Sequence, residues 1–125
     1  MHRFVENIEK TITSTPGILS SYIQKQFGPD NETVYLKGNF IFIDSSVLEI
    51  AIFANKVHDT VSIDKYRFHY MGKDGQMNFR YDNAPHHQEI TSFPHHKHTP
   101  DKVIQSTMPS LKDVLNEISA LIIRK

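Results

Sequence analysis

Phe4, Val5, Ile8 and Ile12 recur at helical spacing with Glu6, Asn7, Glu9 and Lys10 between them, which predicts a short amphipathic helix over 3–13. Thr15-Pro16-Gly17 ends it. Over 18–27, Leu19, Ile23 and Phe27 also fit a helical stripe, but the position ahead of a run of strands favours a first edge strand. Gly28-Pro29-Asp30-Asn31 reads as a turn. The period then becomes two: Val34, Leu36, Phe40 and Phe42 alternate with Tyr35, Lys37 and Asn39, giving a long strand over 33–43. Asp44-Ser45-Ser46 turns into a second strand over 47–53, and a polar link over 55–59 leads to a third from near Val61.

The strongest hairpin signal follows. Tyr66-Arg67-Phe68-His69-Tyr70 and Met77-Asn78-Phe79-Arg80-Tyr81-Asp82 flank Gly72-Lys73-Asp74-Gly75. At the end of the chain Leu111, Val114, Leu115, Ile118, Leu121 and Ile122 form one helical stripe behind Pro109-Ser110, with Asp113 placed to complete a capping box. Helices at both ends and strands between them predict an α+β fold. Residues 1–125 form a single domain with a mostly antiparallel sheet of four to five strands.

Strand parity sorts the hairpin residues by face. A two-residue Asp74-Gly75 turn sets Tyr70 opposite Phe79 and Phe68 opposite Tyr81 on an aromatic core face. His69 then faces Arg80, and Arg67 faces Asp82, on the other. A four-residue loop keeps the same two sets, whereas an odd loop mixes them. Without a further feature, the polar set reads as a solvated sheet surface with a weak cross-strand ion pair.

Composition narrows the options. At 125 residues one core is expected, and 8 Phe and 5 Tyr supply its bulk. The 14 basic and 14 acidic residues balance, so no global field draws the chain to nucleic acid or an anionic membrane. The absence of cysteine excludes disulfides, thiolate metal sites and a cysteine nucleophile, and is compatible with a reducing cytoplasm. No apolar run approaches the roughly 20 residues of a membrane span, so no membrane partner is expected.

Five of the 8 histidines fall in 86–98: His86 and His87 after Asp82-Asn83-Ala84-Pro85, then His95, His96 and His98 after Phe93-Pro94. As a structural feature, the run is an extended loop stiffened by Pro85, Pro94 and Pro100 and anchored by Phe93, with imidazoles bonded to backbone carbonyls. As a metal site, His95, His96 and His98 are too close to converge together on one ion in a strand. His87 with His95 or His98, plus Glu89 or Asp82, remains an option for a divalent metal, although no cofactor is otherwise called for. As chemistry, the loop leaves the sheet edge beside Arg67, His69, Arg80 and Asp82, joining arginines suited to phosphate with histidines suited to proton transfer.

The segments 66–70, 79–87 and 93–98, with Pro109-Ser110-Leu111 opening the last helix, closely resemble the TumE family, small proteins of bacteria and archaea regarded as toxins of toxin–antitoxin pairs. The resemblance implies a cytoplasmic toxin of a type II system with a helix-turn-helix antitoxin as cognate partner. It carries over no catalytic assignment. By analogy with other small toxins, the expected activity is metal-independent RNA cleavage. His69, Arg67, Arg80, Asp82, His86, His87, His95 and His96 are the catalytic candidates, and Tyr66, Tyr81, Lys97 and His98 the substrate-binding ones. The alternative is a non-catalytic or metal-binding module that recognises a protein or nucleic-acid partner through the histidine loop. Exposed sheet edges make a homodimer a further expectation.

Overall fold

A computed structural model describes residues 1–85 and 87–124. Helix α1 (His2–Thr13) leads into strands β1 (Ile18–Phe27), β2 (Thr33–Phe42), β3 (Val47–Val57), β4 (Thr60–Met71), β5 (Met77–Asp82), β6 (His96–His98) and β7 (Val103–Gln105), and helix α2 (Leu111–Ile123) closes the chain. The strands form one antiparallel meander in chain order. The expected α+β class and both terminal helices are present, and 18–27 is a strand. The sheet has seven strands rather than four to five, because β6 arises at the end of the segment read as an extended loop and β7 follows just after it.

Both helices pack on the same face of the sheet. Val5 and Ile12 of α1 and Leu111, Val114, Leu115 and Ile118 of α2 join Leu36, Phe40, Leu48, Ile52, Phe68, Tyr70 and Phe79 in one core. The capping box forms as expected: Asp113 N–H donates to Ser110 Oγ, and Ser110 N–H to Asp113 Oδ2. The polar link foreseen over 55–59 shrinks to His58 and Asp59. Both have positive φ, and they close a two-residue turn between Val57 and Thr60.

The hairpin keeps the predicted register by another route. Met71 pairs with Met77, leaving an odd loop of 72–76, but a bulge beside Tyr70 absorbs one residue and restores Tyr70 opposite Phe79. Arg67 therefore faces Asp82, and His69 faces Arg80. Phe68, Tyr70 and Phe79 are buried in the core as parity requires.

Candidate functional site

The site lies on the sheet face that the helices leave open. Two cross-strand rows run over it: Ala51, Arg67, Asp82, His96 and Gln105 in one, and Glu49, His69, Arg80, His98 and Val103 in the other. Alternation in β6 explains the second pair of histidines. His96 and His98 are two residues apart, so both point to the same face, where their partners are Asp82 and Arg80. Arg67 and Arg80 are diagonal neighbours in a spacing of roughly 7–8 Å, which long side chains can bridge.

Asp82 is a buried carboxylate at the centre of this face. Ala84 N–H donates to its Oδ1 at 3.0 Å, and Arg80 Nε donates to its Oδ2 at 3.0 Å. His96 Nε2 lies 2.7 Å from Oδ1 and His98 Nε2 lies 3.5 Å from Oδ2. His96 Nδ1 donates to the Pro94 carbonyl at 2.9 Å. The His87 ring sits edge-on to His96 and His98, with centroids 5.4 and 5.6 Å away, and its Nδ1 is 3.3 Å from Glu89 Oε1.

A cleft of about 880 Å³ opens above the floor. Arg67, Arg80, Asp82, His87 and His98 line it, together with Tyr35, Phe53 and Lys65 from the strands and Phe93 and Pro94 from the loop. A smaller groove of about 200 Å³, lined by Lys37, Asn39, Glu49, Ala51 and Arg67, continues it towards β1. Burial pushes the His69 imidazole below its usual pKa, the Arg80 charge lowers it further, Glu49 opposes and Arg67 adds to the fall. Burial and Arg80 likewise lower His98, with Asp82 opposing and His96 and His87 adding. Both imidazoles are therefore disposed to be neutral, able to accept a proton or bind an ion.

Several candidates lie elsewhere. Tyr81 and Lys97 sit on the helix-covered face. There the Tyr81 hydroxyl donates to Glu117 Oε1 at 2.6 Å, and Lys97 Nζ is 2.7 Å from Glu117 Oε2, over the Phe79 and Tyr81 rings. Burial and the Glu117 bond raise the Tyr81 pKa. For Lys97, burial works against the charge but bonds to Glu117 and Tyr81 outweigh it. Tyr66 is 4% exposed and stacks on His95, whose Nδ1 is 2.9 Å from the Tyr66 hydroxyl. Burial, then the Asp82 charge, raises the Tyr66 pKa. A base cannot stack on Tyr81 while these contacts stand, because parity sends its side chain to the helix-covered face; Tyr66 borders the cleft, with its ring taken up by the His95 stack. Phe93, expected as a core anchor, is instead 41% exposed at the cleft. His86 lies outside the described residues.

Supporting residues escaped the sequence reading. Asn83 extends the β4–β5 ladder past its end: Tyr66 N–H donates to Asn83 Oδ1 at 3.1 Å, and Asn83 Nδ2 donates to the Asp64 carbonyl at 2.9 Å. Glu49 and Lys65 reach the site through the β3–β4 register. The available signal for β6 was the His-x-His alternation itself. Asp82, His96 and His98 are the described residues able to hold a metal, each offering one donor atom within 4.8 Å of the others.

Among the described residues, no helix is long and apolar enough to cross a membrane. A family model described as Toxin TumE matches residues 8–124. No curated protein and no solved structure matches the chain.

Proposed function

The chain belongs to the TumE toxin family, and on that premise we propose that it acts on RNA as a metal-independent endoribonuclease in the open-face cleft. The observation that carries this reading is that Arg67 and Arg80 line that cleft while His69 stands opposite Arg80 in the strand register, within cross-strand reach. Arg67 and Arg80 hold the phosphodiester oxygens by charge-assisted bonds. His69, held towards its neutral form by burial and its arginine neighbours, accepts the proton of the ribose 2′-hydroxyl. The 2′-oxygen then attacks phosphorus and the bond to the 5′-oxygen breaks. His87, facing the cleft from the loop, supplies the proton to that leaving oxygen. The products are a 2′,3′-cyclic phosphate and a 5′-hydroxyl end.

As a member of a toxin family the chain has an antitoxin as its general partner. The finer reading is a type II system, with a helix-turn-helix antitoxin neutralising the toxin by covering this cleft. Purified, untagged protein incubated with RNA in EDTA tests the chemistry. Cleavage leaving cyclic phosphate ends is expected, with a single 2′-deoxy substitution protecting the scissile site. His69→Ala should slow it about 10²–10⁴-fold. Intact RNA, or a His69→Ala variant as fast as the wild type, overturns the assignment.

A further inference from the structure

We propose that Asp82, His96 and His98 bind one divalent transition-metal ion of the zinc class on the open face of the sheet. The partners of His96 decide which of its nitrogens carries the hydrogen. Its Nδ1 lies 2.9 Å from the Pro94 carbonyl, which can only accept, so Nδ1 carries the hydrogen. In the neutral ring Nε2 then presents a lone pair. It does so 2.7 Å from Asp82 Oδ1, an oxygen that is itself an acceptor in the ionised carboxylate.

The His96 side chain is 2% exposed, and its Nε2 makes no hydrogen bond because the nearby carboxylate oxygen is out of line. A proton on Nε2 would leave a buried N–H with no aligned acceptor, an unfavourable arrangement. A cation shared by the lone pair and the carboxylate resolves both defects. His98 supplies the third donor, with Nε2 3.5 Å from Asp82 Oδ2, and the three donor atoms lie within 4.8 Å of one another.

The dimensions suit such an ion. Zinc binds imidazole nitrogen and carboxylate oxygen at about 2.0–2.2 Å, so two ligands on one tetrahedral ion stand about 3.4 Å apart. The separation of 3.5 Å from His98 Nε2 to Asp82 Oδ2 has this value already, whereas His96 Nε2 stands 2.7 Å from the other oxygen, Oδ1, so the imidazole and carboxylate have to shift apart as the ion enters. Outer partners hold the ligands in place, as is usual at metal sites: Pro94 O orients His96, while Ala84 N–H and Arg80 Nε fix the Asp82 carboxylate. Two imidazoles and one carboxylate select a first-row transition ion over magnesium or calcium, which prefer all-oxygen shells. Asp82 and His98 line the cleft, so a fourth position on the ion faces it.

This site adjoins the residues assigned to the RNA chemistry and shares Arg80 and the cleft with them, so its test reads binding rather than cleavage. Full-length, untagged protein is stripped with chelator and titrated with Zn²⁺ by calorimetry, with bound metal counted by elemental analysis. One equivalent per chain and a raised melting temperature are expected. Asp82→Asn and His98→Ala should each weaken Zn²⁺ binding by about 100-fold or more, since loss of even an outer partner weakens metal sites 10–100-fold. His58→Asn, in the β3–β4 turn, should bind as the wild type does. If the ligand variants fail to fold, the visible absorption of bound Co²⁺ and the nitrogen hyperfine pattern of bound Cu²⁺ in the wild-type chain report imidazole ligation without them. Substoichiometric uptake, wild-type affinity in folded Asp82→Asn and His98→Ala, or spectra without nitrogen ligation overturns the proposal.

Discussion

His69 illustrates how one side chain takes its chemistry from several strands. Its neighbours are Arg67 two residues away on β4, Arg80 across on β5 and Glu49 across on β3. Burial and the two arginines favour the neutral ring and Glu49 favours the charged one, so the site-specific titration falls below the usual 6.5. Histidine-resolved NMR should show that midpoint moving further down in Glu49→Gln and back up in Arg80→Gln. The linkage has a definite sign. A depressed folded-state pKa means that the folded chain binds fewer protons than the unfolded one. This contribution to stability is therefore present above pH 6.5 and lost as pH falls through the folded value. Parity in the sequence put Arg67, His69, Arg80 and Asp82 on one face for an even loop only; the loop is odd, and the unforeseen bulge beside Tyr70 restores the arrangement. Glu49 was not foreseeable in the same way, because it arrives through a β3–β4 register set by a two-residue turn and a bulge beside Phe53.

Among the elements, the long strands and α2 were readable because their periods persist over many residues, whereas β6 and β7 have three residues each. Such short strands carry little periodic signal, a single His-x-His alternation in β6, and the pairing of β6 depends on Asp82 and Arg80 offering a ladder to His96 and His98. Two side chains brace the sheet around β5. Asn83 satisfies Tyr66 N–H and Asp64 C=O beyond the end of β5. Asn83→Ala should lower unfolding free energy by about 1–3 kcal/mol in urea titrations, since two backbone groups lose their partner. On the other face, Glu117 ties α2 to Tyr81 and Lys97. Because Glu117 and Lys97 are partly solvated, Glu117→Ala should have a smaller effect, about 1 kcal/mol, in the same measurement. The tyrosine and lysine candidates were misplaced at this scale: their residue types suited RNA, but their parity assigned them to the helix side.

For the whole molecule, the decisive feature is a sheet covered by helices on one face, carrying balanced charge overall and a cationic strip on the other. With net charge zero, long-range attraction to RNA is absent, and binding must come from the few cations along the cleft and its adjoining groove: Lys37, Lys65, Arg67 and Arg80. Each phosphate neutralised on a single strand contributes about −0.7 to the slope of log affinity against log salt, so four contacts predict a slope of about −3. Arg67→Ala should lower its magnitude by about 0.7, and Lys65→Ala, two residues away on β4, should do the same. Substitution of Lys97, which is bound to Glu117 under α2, should leave the slope unchanged. Fluorescence anisotropy with a short single-stranded RNA, using a cleavage-resistant 2′-deoxy substitution, measures all three over a salt series. A slope near zero would remove the cleft cations as the RNA contact. An unchanged slope in Arg67→Ala would place RNA elsewhere on the surface.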